Sequence, residues 1–175
     1  MIENAAGTEV VFIDTNGYVV NDYYSAANGW ACPARIGGTA RAGSGLAMSS
    51  DGSNVVFVNG SGAVVNDYHN ASGWNGPAGI GGTARNGSPL VEDAGGHGVK
   101  FFDAAGDVVN DYFTTANGWT GPATIGGSAR AGSGLAETSD GTDVFFVHPN
   151  GSVVNEYNNP GAAWNGPAGT GGTSR

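Results

Sequence analysis

One set of aromatic and polar residues occurs four times in the sequence at nearly constant spacing. The tryptophans follow one another at intervals of 44, 45 and 45 residues, and an arginine follows each tryptophan by 11 positions. An acidic residue and a tyrosine precede each tryptophan by a few positions. The members are Trp30, Trp74, Trp119 and Trp164; Arg41, Arg85, Arg130 and Arg175; Tyr23, Tyr68, Tyr112 and Tyr157; and Asp22, Asp67, Asp111 and Glu156.

Together these side chains suit a carbohydrate. A sugar has an apolar face of C–H groups, which an aromatic ring can cover, and a rim of hydroxyl groups. Arginine donates hydrogen bonds in a fixed fork, and a carboxylate accepts them from vicinal hydroxyls. An enzyme needs one good site, whereas several equal sites raise avidity for a multivalent target. The set therefore predicts multivalent binding of neutral glycans.

The same residues also have structural interpretations. An indole can pack between neighbouring sheets, and each arginine could tie one repeat to the next by pairing with an Asp22-type carboxylate. In the strand Val19–Tyr23, alternation places Val19, Asn21 and Tyr23 on one face and Val20 and Asp22 on the other. If both faces meet neighbours, these polar groups must be hydrogen-bonded in an interface, and we interpret the asparagine as structural.

Catalysis, metals and cofactors are not indicated. His69, His97 and His148 occupy non-equivalent positions, so no repeated catalytic pair can be drawn. Turn aspartates can bind calcium, and Asp14, Asp51, Asp103 and Asp140 lie in such turns, but Asn59 and His148 stand at equivalent turn positions and are poor ligands. We expect a protein that is not an enzyme and that needs no metal and no cofactor.

The composition limits the partners and the location. The formal net charge is −9, which disfavours nucleic acids and anionic membranes. No apolar run is long enough to span a bilayer, and residues 1–4 lack the basic and apolar regions of a signal peptide. With a single cysteine, Cys32, no internal disulfide can form. The sequence does not show whether the protein is exported.

Short strands must position these residues. Val10–Ile13 and its three equivalents are β-branched and aromatic, and each precedes a hairpin signal such as Asp14-Thr15-Asn16-Gly17. A second strand, a loop of variable length between Tyr68 and Trp74 and its equivalents, a weaker glycine-broken strand and a fourth short strand follow. The glycine pairs, Gly37-Gly38 in the first copy, are expected to form turns.

The period and the turn signals predict an all-β protein. Four-stranded antiparallel units repeated every 40–50 residues are typical of a β-propeller. We expect one domain, residues 1–175, built from four blades at about 1–45, 46–89, 90–134 and 135–175. The chain begins and ends at a blade boundary, so we expect a homo-oligomer, with a dimer completing an eight-bladed ring. A four-bladed ring in a single chain is the alternative.

At this point the sequence resembles a family. The pattern Phe-x-x-x-x-Gly-x-Val-x-x-x-Tyr, followed by Gly-Trp-x-Gly-Pro and Ile-Gly-Gly between Phe57 and Gly82, resembles the blade repeat of bacterial fucose-binding propeller lectins. It is also similar to tachylectin-type and fungal fucose-lectin propellers. The resemblance implies sugar sites in clefts between blades, with the four tryptophans as the first candidates. Four blades differ from the five to seven usual in that family.

A second class of function fits the repeat. A propeller can serve purely as a scaffold for protein contacts, and recent duplication or design would also produce nearly identical copies of Gly-Pro-Ala-x-Ile-Gly-Gly-Thr-Ala-Arg. A glycan array distinguishes the two interpretations, since a scaffold would bind none of the printed sugars.

Overall fold

The computed structural model describes residues 1–159 and 163–174, which contain β-strands and no helix. The first sheet comprises β1 (Ile2–Glu3), β2 (Glu9–Ile13), β3 (Tyr18–Ser25), β4 (Gly29–Trp30) and β5 (Ala34–Thr39). The second comprises β6 (Leu46–Met48), β7 (Asn54–Val58), β8 (Ala63–Asn70) and β9 (Gly73–Thr83). The third comprises β10 (Leu90–Glu92), β11 (Gly98–Phe102), β12 (Asp107–Thr114) and β13 (Gly118–Ser128). The fourth comprises β14 (Leu135–Glu137), β15 (Asp143–Val147), β16 (Ser152–Asn158) and β17 (Trp164–Thr173).

Each sheet is an antiparallel meander whose strands follow chain order, as the hairpin signals predict. In the first hairpin the Gly17 N–H donates to the Asp14 carbonyl at 3.0 Å, while Asp14 Oδ1 accepts from the N–H groups of Asn16 and Tyr18. Gly17 has φ +86°, a conformation that a residue with a Cβ rarely adopts. Asp14 therefore uses its Oδ1, an oxygen of the kind that could bind calcium, to accept hydrogen bonds within its own turn.

The hydrophobic core lies between the sheets. Three apolar clusters each join one sheet to the next and use equivalent positions. Between the second and third sheets, Val56 and Val64 pack against Val99 and Phe101, and all four are fully buried. A sheet buries both of its faces only where a neighbouring sheet packs on each side. The stability of one repeat therefore depends on the repeats next to it.

The sheets follow one another radially, with short strands inside and long strands outside. The innermost strands β1, β6, β10 and β14 contact in sequence, as do the outermost strands β5, β9, β13 and β17. This is the arrangement of four consecutive propeller blades. The ring is not closed, because the arc formed by the described residues leaves the first and fourth sheets apart.

The first sheet departs from the other three at Cys32. In the second sheet the outermost strand runs unbroken through Gly76, which has φ +127°, and a Cβ there would overlap Asp67 and the Asn66 backbone. Cysteine cannot adopt this conformation without strain. The outermost strand of the first sheet is accordingly split into β4 and β5 around residues 31–33.

Two local expectations need correction. Strands β8 and β9 extend to Asn70 and from Gly73, so the predicted loop between Tyr68 and Trp74 shrinks to two residues. The glycine pairs do not form turns but lie inside the outermost strands, for example in β9. In the first three sheets, side chains of the next sheet leave no room for a Cβ at these pairs: one at Gly38 would meet the Pro77 ring at 2.7 Å.

Candidate functional site

The tyrosine and the tryptophan of one repeat lie on opposite faces of their sheet. In β8, Asn66 and Tyr68 face the third sheet, whereas Trp74, the cross-strand partner of His69, faces the first sheet; His69 itself lines the clefts on both sides. This follows from the two-residue period of a strand. The set predicted to act together is therefore divided, and each cleft combines the tyrosine of one repeat with the tryptophan of the next.

The first cleft lies between the first and second sheets and has a volume of about 480 Å³. Tyr23 stands on one wall and Trp74 on the other, and Tyr23 is 53% exposed. Its lining residues are Glu9, Asn21, Tyr23 and Ala34 from the first sheet and Asp51, Gly52, Ser53, His69 and Trp74 from the second. An aromatic-walled space of this size can admit a sugar ring.

The second cleft repeats the first between the second and third sheets, with a volume of about 500 Å³. Tyr68 and Trp119 form its walls. Its lining residues are Ser53, Asn54, Asn66, Tyr68, His69 and Ala78 from the second sheet and Gly95, Gly96, His97, Phe113 and Trp119 from the third. Nine of these positions correspond one to one with the first cleft, so the repeat generates a repeated cavity.

The tryptophans are both packed and accessible. Trp74 and Trp119 are partly buried against the apolar clusters between sheets, and each also lines a cleft. A cross-strand ring holds each indole edge-on: His69 lies 5.3 Å from Trp74, and Phe113 lies 5.7 Å from Trp119. Such contacts fix an aromatic side chain without covering its whole surface. The packing and binding interpretations therefore both apply to these two residues.

The asparagine of each repeat is bonded to a polar partner on the neighbouring strand in three of the four sheets. Asn21 Nδ2 donates to Glu9 Oε1 at 2.8 Å, and Asn66 Nδ2 donates to Asn54 Oδ1 at 2.7 Å. Asn155 Nδ2 donates likewise to Asp143 Oδ1 at 3.0 Å. These bonds support the structural interpretation, and the first two form the polar floors of the first and second clefts.

The carboxylates of the predicted set lie outside the clefts. Asp67, Asp111 and Glu156 are fully buried against the glycines of the preceding sheet, where a Cβ at Gly37 or Gly126 would overlap Asp67 or Glu156. The Asp67 and Asp111 oxygens have no hydrogen-bond partner among the described residues, so the expected bonds are missing there. Burial raises the pKa of Asp67 to about 6 and that of Asp111 to about 7. Asp22 is half-buried on the first sheet.

The arginines also lie away from the clefts, at the opposite side of the sheets. Arg85 donates to the carbonyls of Ala129 and Arg130 at 3.1 and 3.0 Å, and Arg41 donates to Arg85 O at 2.9 Å. Arg130 reaches Ser174 in the same way. Each of these arginines therefore ties its repeat to the next, as the structural interpretation predicts. The acceptors of its hydrogen bonds include backbone carbonyls of the next repeat and not the Asp22-type carboxylates. Arg175 lies outside the described residues.

The other tyrosines and tryptophans of the predicted set line neither of the two clefts. Tyr112 and Trp164 stand at equivalent places between the third and fourth sheets. Trp30 is 51% exposed, on the face of the first sheet that points away from the second. Tyr157 is 37% exposed, on the face of the fourth sheet that points away from the third. Because the ring is open, neither has a neighbouring sheet opposite it.

Several residues that line the clefts are not in the predicted set. His69 and Phe113 follow the repeated tyrosines directly, and Glu9 and Asn54 are equivalent residues in the strand before the hairpin. They differ from copy to copy, so the recurrence of residue types along the sequence does not reveal them. Strand alternation would have found them, since the residue after each tyrosine must share a face with the tryptophan opposite it.

Comparison with known proteins establishes the fold class. No protein-family model matches the sequence, and no curated protein matches it. The BP39L lectin from Burkholderia pseudomallei matches the structure with a TM-score of 0.75 and 22% identity, over 94% of this chain and 52% of that one. At this identity the match shows a β-propeller fold, and it confirms the resemblance to propeller lectins at that level.

Fungal lectins give the same result. An Aleuria aurantia lectin, described as a six-bladed β-propeller with a novel fucose recognition mode, matches with a TM-score of 0.70 and 20% identity, over 95% of this chain and 59% of that one. AofleA from Arthrobotrys oligospora matches with a TM-score of 0.65 and 14% identity, over 92% and 52%. The chain thus spans between half and 60% of the length of these lectins.

The described residues also bear on membranes and metals. They include no helix long and apolar enough to cross a bilayer. Within residues 1–159 and 163–174, no three histidine, cysteine or acidic side chains form a group that could hold a metal ion.

Proposed function

We propose that this protein is a non-catalytic, multivalent lectin that binds one saccharide unit in each cleft between neighbouring sheets. The observation that carries the proposal is the repetition of the cavity. Tyr23 and Trp74 in the first cleft, and Tyr68 and Trp119 in the second, present equivalent pairs of aromatic walls about an asparagine floor. A chance crevice would not recur at corresponding residues.

Neutral glycans, and fucosylated ones first, are the ligands to test. The second cleft is lined by amides, hydroxyls and imidazoles with no carboxylate, lysine or arginine among its lining residues. Such groups exchange hydrogen bonds with sugar hydroxyls without demanding a charged ligand. The Aleuria lectin, of similar fold, recognises fucose.

Removal of one aromatic wall is expected to abolish binding at one cleft. In Trp119→Ala, the second cleft loses the indole that would cover the apolar face of a sugar, so its affinity should fall about tenfold or more. A glycan array identifies the ligand, and calorimetric titration with that ligand, or with methyl α-L-fucoside, then gives the stoichiometry. The stoichiometry should fall by one site per chain relative to wild type.

Arg85→Met serves as the matched control. It changes a residue of the predicted set that lies away from the clefts, so it should retain the wild-type stoichiometry once a thermal melt shows it folded. A silent array would instead favour the scaffold interpretation. Loss of sugar binding in folded Arg85→Met would return the arginines to the binding site.

We also propose that the four sheets form one domain and that two chains combine into an eight-bladed ring. The exposed Trp30 and Tyr157 support this, because each presents one half of the repeated cleft on an open end of the arc. Light scattering should give twice the chain mass of 17.4 kDa. A strictly monomeric protein at micromolar concentration would refute the association.

A further inference from the structure

The two clefts share a shape but differ in charge. Glu9 and Asp51 line the first cleft, and the equivalent residues of the second are Asn54 and Gly95. Neither lysine nor arginine is among the lining residues of either cleft. The first cleft therefore presents two carboxyl groups beside its aromatic walls, within a chain of net charge −9.

Glu9 reaches from the first sheet toward the second. Its Oε1 accepts from Asn21 Nδ2 at 2.8 Å, which fixes the carboxyl group over the floor of the cleft. Its Oε2 stands against Gly52 so closely that a Cβ there would overlap it. No hydrogen bond to Oε2 is present among the described residues, so this oxygen can accept one from a ligand.

Asp51 lies on the turn beside Gly52 and is held rigidly. Its Oδ1 accepts from Ser49 Oγ at 2.8 Å, from the Ser53 N–H at 2.9 Å and from Ser53 Oγ at 2.7 Å. The hydrogen bond from the Ser53 N–H, followed by that from its hydroxyl, holds the pKa of Asp51 below its ordinary value. The carboxylate thus remains ionised well into the acid range.

We propose that the first cleft selects a saccharide bearing a protonated amine, a hexosamine with a free amino group, whereas the second takes a neutral sugar. This inference rests on the proposed lectin function and specifies the ligand class of one of its sites. Tyr23 and Trp74 cover the ring of the sugar, and a cation beside an aromatic face gains further attraction. The ammonium group then meets Glu9 and Asp51 through charge-assisted hydrogen bonds.

Titration with glucosamine and with N-acetylglucosamine tests the proposal, because acetylation removes the positive charge and keeps the sugar ring. The amino group of a hexosamine stands beside electron-withdrawing oxygen substituents, so we take for its pKa the range of an α-amino group, about 7.7–8.0, which leaves it largely protonated at pH 7. The full chain should bind glucosamine more tightly, and the difference should shrink when salt is raised to about 1 M, where charges are screened within roughly 3 Å.

Glu9→Gln is the decisive variant, since it removes one charge and keeps the shape of the side chain. It should weaken glucosamine roughly 3- to 10-fold and leave N-acetylglucosamine and methyl α-L-fucoside within about twofold. Glu3→Gln is the matched control for long-range charge, because Glu3 lies outside the lining of either cleft. It should bind all three sugars as the wild type does.

Two aromatic variants assign the site. Trp74→Ala should lose the preference for glucosamine, and Trp119→Ala should retain it. Equal affinity for glucosamine and N-acetylglucosamine would overturn the inference, and so would equal behaviour of Glu9→Gln and Glu3→Gln. In either case, binding of a neutral sugar would still support the lectin function. Absence of binding to every sugar would overturn both.

Discussion

Replacing Lys100 with valine is expected to lower the free energy of unfolding at pH 8 by about 3–5 kcal/mol, the usual cost of leaving one charge of a buried pair without its partner. Lys100 Nζ forms an ion pair with Glu137 Oε1, and both side chains are only 3% exposed. Once the lysine is removed, Glu137 must either stay charged without a partner or take up a proton. Urea unfolding at pH 8 measures the loss.

The repeat itself supplies the compensating variant. Positions equivalent to Lys100 hold Val11 and Val56, and the position equivalent to Glu137 holds Met48 in the second sheet. The double variant Lys100→Val, Glu137→Met therefore copies the apolar pair already used between the first and second sheets. Its stability should return to the wild-type value or exceed it.

The single variant should also be pH-dependent. Burial raises the pKa of Glu137 to about 7 even though Lys100 opposes the shift. Below pH 6 the carboxyl group is mostly protonated, so loss of the lysine costs less there. A single variant as stable as wild type at pH 8 would contradict a buried, mutually dependent pair.

The fold could be predicted because its signals are local and repeated. Turn glycines such as Gly17, β-branched runs and a constant period each depend on backbone geometry within one repeat. Four copies of the same weak signal reinforce one another. The split of β4 from β5 could not be predicted in this way, since it depends on Cys32 in place of a glycine whose φ is visible only in the other sheets.

The site could be predicted only in part, because it is formed between repeats. Trp74 and Tyr23 come from adjacent copies, and a pattern within one repeat does not tell how neighbouring sheets face one another. Asp67 illustrates the difficulty, since a carboxylate suits a sugar equally well on either face of a strand. Only its position against Gly37 of the preceding sheet removes it from the cleft.

Stability should be greatest near pH 4, close to the unfolded-state pKa of the acidic groups, and fall by several kcal/mol as the pH rises to about 8. Burial is the largest cause that raises the pKa of five acidic groups to values between about 6 and 8. They are Asp67, Glu92, Asp111, Glu137 and Glu156. A folded-state pKa above the unfolded value means that the folded protein binds more protons, so this stability is present in acid and is lost as pH rises through the folded pKa.

The acid side of this window has the opposite sign. Hydrogen bonds from Ser53 and from Thr138 hold the pKa values of Asp51 and Asp140 below the ordinary value. Their contribution is present above the unfolded pKa and is lost as pH falls below about 4. Thermal melts from pH 3 to 9 at constant ionic strength should therefore show one broad maximum.

Asp111→Asn isolates the buried carboxylates. The amide keeps the shape of the side chain but cannot ionise, and Asp111 has neither a hydrogen-bond partner among the described residues nor any exposure to solvent. Relative to wild type the variant should gain about 1–3 kcal/mol of stability between pH 5 and pH 9, because the wild-type loss continues until the pH passes the folded-state pKa of about 7. Parallel profiles for Asp111→Asn and wild type would show that the interface between the second and third sheets admits water or a cation to this carboxylate, and the proposed origin of the alkaline instability would be wrong.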